Sequence, residues 1–564
     1  MAHGAHIERR SPEKVMRLGR LGSFHQCRLG FMRILTRRMA REKWEFSRPA
    51  FDIDDKGVGH AVYSAKVRGR HYSLVAFAHD LPDSRRSDRV IAEAWDATFA
   101  LHDGIPGPDD IDRLARNVPL QEAGRVSESE LTLSRANRSV RLWDHVVHAL
   151  ASGKQPDPEK IDSVGYLMRT TAVYGSGKFG AADRERIADR DEMQAPFQAE
   201  MLSVYMTRVF VRDLVRHIAK IGGGEKAVDL DPDIARRMGI GNSTGLGMAP
   251  FIVNHPVLFN NWIMVREEAI RRVRSVETAT EAEQTEFRRI LSQAARLIEN
   301  GRSDHPVQVS KLAELRHDMK VLQEKINSER LDGRRPWNGL FEWAESSLGE
   351  EGQEFLASIL LEPYGNLVDG LAVCMADKHQ AKFQIDGSKS VGETKGLIRD
   401  RFSWALDIDW NSRENCARAW YVSEEKLEPR LGERFEEPIA DYEQPLAPAR
   451  DACMALSAMA KWEDGTSIAK FLSVHPEHRH AIRRVQMCRA APYGEICDNT
   501  IGAGLMPIDM LRAKLSFFGA TRFDPRSDRW VRICMYAGAP YPEEITSQNS
   551  DLWVYGGMES ESVA

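Results

Sequence analysis

Between Pro196 and Leu331 the chain repeats apolar residues at helical spacing in four long stretches, and this periodicity constrains the fold more than any other feature. "PFQAEMLSVYMTRVFVRDLVRHIAKIGGG" predicts a long helix, with Pro196 suited to its first turn and the 222–224 glycine run to its end. "HPVLFNNWIMVREEAIRRVR", "EQTEFRRILSQAARLIENG" and "QVSKLAELRHDMKVLQEKINSERL" predict three more. The last is charged enough to be a solvated surface helix or a hairpin arm. Upstream, "GHAVYSAKVRGRHYSLVAFAHDL" reads as two strands around a glycine-containing turn, and "DRVIAEAWDATFALHDG" as a helix capped by Gly104. Beyond "DGRRPWNG", helices such as "GETKGLIRDRFSWAL" and "PLAPARDACMALSAMAKW" mix with extended pieces such as "RWVRICMYAG".

The expected fold is therefore mainly α (α+β overall): a large multi-helix body with a small N-terminal β-hairpin and a mixed α/β C-terminal part. The expected division is a basic amphipathic helical arm over 1–47 and a helical domain over 48–335 with its hairpin near 58–80. A second α+β domain over 336–545 and a polar acidic tail over 546–564 complete it. No repeat at a solenoid period is present.

Hydrophobic residues make up 42% of the chain and charged residues 29%, a globular balance. The longest apolar runs fall short of the roughly 20 residues that span a bilayer, and no secretory signal opens the chain. Seven widely spaced cysteines without a C-x-x-C pair argue for reduced thiols, so a cytoplasmic protein is expected. Charge is front-loaded. Residues 1–50 hold twelve Lys/Arg and four Asp/Glu, a balance of +8, which leaves −13 for the remainder of a chain whose formal charge is −5. Because Phe24, Cys27, Phe31, Leu35 and Met39 add an apolar face, the arm is expected to pack on protein, with a homo-oligomer joined through it. Nucleic-acid and membrane partners are not expected.

The stretch "GIGNSTGLGMAPFIVNHP", residues 239–256, interrupts the helical pattern with glycines at 239, 241, 245 and 247. Asn254 is a good N-cap and Pro256 suits a first helical turn, so the stretch reads as a glycine-rich loop presenting amides to an anion at a helix start. Gly241, Ser243, Thr244, Gly245, Gly247 and Asn254 would bind the anionic group. His255, whose pKa lies near neutrality, would transfer a proton, with Tyr174 as the alternative. The wording Gly241, Asn242, Ser243, Met248, Pro250, Asn254 and Pro256 resembles the flexible signature loop of the fumarase/aspartase lyase family, without that family's lysine and with different spacing. The resemblance implies carboxylate elimination among the reactions to consider.

A second glycine-rich segment, "YGSGKFG", places Gly175, Gly177 and Gly180 after a candidate strand, "YLMRTTAV". A dinucleotide fold would need it to end a strand inside a βαβ unit, which makes NAD(P) or flavin the alternative cofactor; otherwise no cofactor is expected. Lys178 would instead offer a point charge to a carboxylate or phosphate. Glu428, Arg430 and Arg434 around Pro429 and Gly432 read as a rigid turn able to anchor a substrate acid. Asp407 and Asp409 would share a strand face. The E-x-x-H spacings of Glu314/His317 and of Glu477/His480, the latter within "HPEHRH" beside His475 and His478, are weighed as chance matches to a di-iron pattern, and no metal is expected. Taken together, these features favour a cytoplasmic enzyme acting on a small anionic metabolite by proton transfer, of lyase, isomerase or hydrolase class. The alternatives are a nicotinamide- or flavin-dependent oxidoreductase and a non-catalytic assembly or regulatory protein.

Overall fold

In a computed structural model of the 564-residue chain, all residues are described except 1–6, 22–25, 86–93, 119–126, 175–186, 188, 244–255, 302–305, 377–383, 413–419, 424–425, 432–446, 498–515, 520–521, 528–529 and 557–564. The centre of the fold is a sheet, not a helix bundle. Nine strands take the order β1-β2-β3-β4-β5-β6-β7-β11-β10. They are β1 (Glu45–Ile53), β2 (Gly59–Val67), β3 (Arg70–Ala78), β4 (Ala97–Asp103), β5 (Glu130–Arg138), β6 (Tyr166–Tyr174), β7 (Gly239–Ser243), β10 (Arg522–Ser527) and β11 (Trp530–Met535). A separate two-stranded sheet pairs β8 (Trp420–Ser423) with β9 (Lys426–Leu431). Every neighbouring pair in the large sheet is antiparallel except β6 with β7, which run parallel.

This corrects the expected mainly-α class with a small N-terminal hairpin. The hairpin near 58–80 exists as β2 and β3, but it is two strands of nine. The segment "ATFALHD", expected within a helix, is β4, and Gly104 follows a strand at φ 102° instead of capping a helix. In β4 all residues but the last are buried. A strand covered on both faces loses the alternation that identifies strands in sequence, and its apolar run reads equally as a helix.

The helices explain the coverage. They include α1 (Phe31–Glu42), α2 (Pro108–Asn117), α3 (Trp143–Ala151), α4 (Gln198–Gly223), α5 (Pro256–Arg274), α6 (Glu281–Glu299) and α7 (Pro306–Ser328). In the second half they include α8 (Pro336–Ser347), α9 (Glu350–Ile359), α10 (Val391–Arg401), α11 (Ala447–Met459), α12 (Ile468–Val474) and α13 (Arg479–Ala490). The 26-residue α4 packs across β2 to β7, with Phe210 against Phe99 and Tyr63. The opposite face carries a smaller cluster in which Leu114 and Val118, at the end of α2, cover Val75, Phe77, Ala100 and Leu133. The other helices through Met375 share the main core, whereas α10 to α13 close a core of their own around Ile398, Phe402, Ile468 and Phe471. Among the described residues, no helix is long and apolar enough to cross a membrane.

The basic arm packs on its own chain. Its arginines enter the body between acids supplied by distant helices. Arg10 reaches Glu267 at 2.8 Å and Glu354 at 2.6 Å, with all three side chains buried. Arg33, fully buried on α1, meets both oxygens of Glu362 at 2.8 and 2.7 Å, and Asp551 at 2.7 Å. Arg28 forks onto Asp369 at 2.7 and 2.9 Å. Burial opposes the charge on Glu362, yet Arg33 and Arg28 hold its carboxyl below the ordinary range; Asp551 is held low in the same way by Arg33, Arg37 and Arg28. Buried charges at this density persist only as mutual partners.

Candidate functional site

The one parallel pair in the sheet organises the candidate site. β6 leads through α4 to β7, and the two strands lie side by side, with a register shift after Tyr166 that sets Arg169 opposite Gly241 and Thr170 opposite Asn242. This is a β-α-β crossover inside an otherwise antiparallel sheet. Both strands therefore end at one edge: Tyr174 is the last residue of β6 and Ser243 the last of β7. The glycine-rich segments that begin at Gly175 and Thr244 are thus tethered to neighbouring strand ends, a relation the sequence alone does not give.

The same edge holds the start of α4. Glu192, six residues before Gln198, accepts a 2.6 Å hydrogen bond from Tyr72 near the start of β3, while Ile218 near the other end of α4 packs by Gly57 at the opposite edge. The positive end of the α4 dipole accordingly lies at the edge where β6 and β7 finish. A polar cluster is present beside it. Arg190 forks onto Asp103 at 2.8 and 2.6 Å and lies 3.4 Å from the Tyr72 hydroxyl. Burial and the Glu192 carboxylate push the Tyr72 phenol above its ordinary value, so it acts as a hydrogen-bond donor at neutral pH.

Beneath α4 the sheet surface is unusually polar. Thr132 and Ser134 of β5 sit opposite Leu101 and Phe99, which face α4. Thr170 pairs with Ala136, and Asn242 donates to the Thr170 hydroxyl at 3.4 Å. The side-chain oxygens of Thr132, Ser134, Asn242 (Oδ1) and, on α4 itself, Ser203 are buried without a hydrogen-bond partner among the described residues. Each such group costs about 1–3 kcal/mol if left unpaired. Of these, Thr132, Ser134 and Ser203 were not singled out from sequence, because isolated Ser and Thr in a strand or helix carry no motif.

Other expected site residues fall as follows. Gly239 and Gly241 lie in β7 rather than in a loop, and neither takes positive φ. A Cβ on Gly239 would come within 2.1 Å of the Met535 carbonyl oxygen, and one on Gly241 within 2.6 Å of the Tyr166 ring. Close strand packing therefore explains these two glycines. Thr244, Gly245, Gly247, Asn254 and His255 lie outside the described residues, as do Gly175, Gly177, Lys178 and Gly180; Pro256 opens α5. Glu428 and Arg430 belong to strand β9, where Pro429 pairs with Val422, so the expected rigid turn is a strand; Arg434 lies outside the described residues. Neither strand of that second sheet hydrogen-bonds the large one. Asp407 and Asp409 are exposed in the turn after a short helix, not paired on a strand. Glu314 and His317 are exposed on α7. Asp524 and Pro525 lie in β10, the last strand of the sheet, where a proline's missing N–H is tolerated.

His475, Glu477 and His478 do converge. The Nδ1 of His475 is 3.1 Å and the Nε2 of His478 3.9 Å from the same Glu477 oxygen. Compared with family models, with curated proteins and with solved structures, the chain finds no match, so what it does has to be argued from this geometry.

Proposed function

We propose that the protein is an enzyme acting on a small anionic metabolite, bearing a carboxylate or phosphate, at the carboxyl ends of β6 and β7. The reaction class is proton transfer with anion stabilisation, as in a lyase, isomerase or hydrolase. The observation that carries the reading is the adjacency of the two parallel strands from which both glycine-rich segments continue. In sheets with parallel strands, ligands bind outside carboxyl ends, where loops diverge. Support also comes from the α4 amino end and from the partner-short hydroxyls of Thr132 and Ser134 on the same sheet face. In this reading Ser243 and Thr244 hydrogen-bond the anionic group and Lys178 supplies its countercharge. His255, one residue before α5, is the proton-transfer group, with Tyr174 as the alternative.

The test is calorimetric titration of the full chain with phosphate, malonate and succinate. At least one is expected to bind with a dissociation constant of millimolar order or tighter, and the Ser243→Ala/Thr244→Ala double variant to bind about tenfold more weakly, the size of one or two lost hydrogen bonds. No binding of any of the three, or binding indifferent to Ser243, Thr244 and Lys178, removes the reading.

A second reading is favoured by a specific observation: Gly175 follows β6 directly, and β6, α4 and β7 form a crossover unit of the kind that binds dinucleotides. In this chain α4 starts 18 residues after Gly180, whereas the dinucleotide motif opens its helix at once. A flavin absorbance band in the purified protein, or a thermal shift with NAD or NADP, would place the oxidoreductase first.

A further inference from the structure

Outside the large sheet, the junction between α12 and α13 brings three metal-ligating side chains together. α12 ends at Val474, and the His475 N–H bonds the Phe471 carbonyl at 2.9 Å. A single 3-10 turn over Pro476–His478 follows, in which the His478 N–H reaches the His475 carbonyl at 3.2 Å. That tight turn folds positions 475, 477 and 478 onto one side. An aromatic shelf fixes both imidazoles. The His475 ring lies 5.0 Å from Phe471 and edge-on to Trp462 at 5.9 Å, while the His478 ring stacks on Phe471 at 6.0 Å and 12°. The two rings are 6.1 Å apart.

We propose that His475, Glu477 and His478 bind a divalent transition-metal ion of the zinc class. All three ligand atoms lie within 4.8 Å of one another. The 3.1 and 3.9 Å separations from the shared carboxylate oxygen straddle the edge of about 3.3 Å that a tetrahedron with bonds of about 2.0 Å requires. Two imidazole nitrogens and a carboxylate oxygen suit zinc better than calcium or magnesium, which take oxygen donors. A plain ion pair needs one histidine; here a second, with only 13% of its side chain exposed, is turned toward the same oxygen. Glu477 is the outermost of the three, with 60% of its side chain exposed, which leaves the remaining coordination positions to solvent or to an exogenous ligand. The site is independent of the anion site proposed above.

The test uses the full chain, freed of metal by a chelator and titrated calorimetrically with zinc chloride, with cobalt chloride as a visible-absorbance probe. One equivalent is expected to bind. Glu477→Gln should weaken it about tenfold and His478→Ala about 100-fold or more, because even residues that only orient ligands cost 10–100-fold. Should His478→Ala lower the melting temperature, the exposed Glu477→Gln variant decides alone. Absence of zinc binding, or binding equally tight in both variants, overturns the proposal.

Discussion

At the scale of single residues, the most consequential feature is the sharing of Glu362 between Arg33 and Arg28 in a fully buried setting. Removing one charge there leaves its partners desolvated. Glu362→Gln is therefore expected to lower stability by about 3–5 kcal/mol, and Arg33→Met by a comparable amount, read from urea unfolding. The same carboxylates set an acid limit. Glu362, Glu354 and Asp551 are all held below their unfolded values, so the unfolded state takes up protons first as pH falls. Their contribution is fully present above about pH 4–5, the ordinary carboxylate range, and is lost progressively as pH drops through the folded-state values. Melting temperature measured from pH 7 to pH 3 should fall steeply below pH 5, and less steeply in Glu362→Gln. Gly241 provides the third residue-scale expectation. Gly241→Ala drives a methyl into the Tyr166 ring and should cost about 1–3 kcal/mol, whereas an alanine at Gly333, with nothing within 4 Å, should be nearly neutral.

Among the elements, the N-terminal segment behaves as an internal part of the core. Phe31 of α1 lies 5.3 Å from Phe197, at the start of α4, and 5.1 Å from Trp262 of α5, with its ring in the main cluster. Deleting residues 1–42 would strip partners from Glu267, Glu354, Glu362 and Asp551 at once. The truncated chain is expected to lack a cooperative melting transition by circular dichroism; a truncated protein that melts like the full chain would show the arm to be dispensable. Sequence patterning read elements unevenly. The helix at 198–223 was plain from its apolar spacing and flanking Pro196 and Gly224, and the β2–β3 hairpin from its glycine turn. β4 was read as part of a helix and β5 and β7 were not assigned, because their residues are buried on both faces or are glycine-rich, and neither pattern carries a period of two. The candidate site was legible only as two separate glycine-rich segments; their neighbourhood depends on a parallel pairing with 64 residues between strands.

Considered whole, the described residues form two large hydrophobic cores beside the small cluster under α2. The main one unites the sheet, α1 and α3 to α9; the other is confined to α10–α13, with Ile398, Ile468 and Ile482 at its centre. Among the described residues, the links between them include ion pairs such as Arg401 of α10 to Glu13 at 2.7 Å. A core of this size opens as its own unit when its connections are weak. Native-state hydrogen exchange should therefore show the amides of α10–α13 exchanging together, with lower protection than β3 and β4. Uniform protection across both cores would contradict this.

From the amino-acid order alone came the long helices, the β2–β3 hairpin and the front-loaded basic arm, because each rests on neighbours within a few residues. Tertiary structure decided what those pieces build. Strand pairing joins residues hundreds of positions apart, as with Asn242 and Ile533, and burial turns the arm's charges inward onto acids that no local pattern links to them. Hydrogen bonding across a sheet and the pairing of buried charges are properties of proximity in space, and proximity in space is what a local reading of a sequence does not contain.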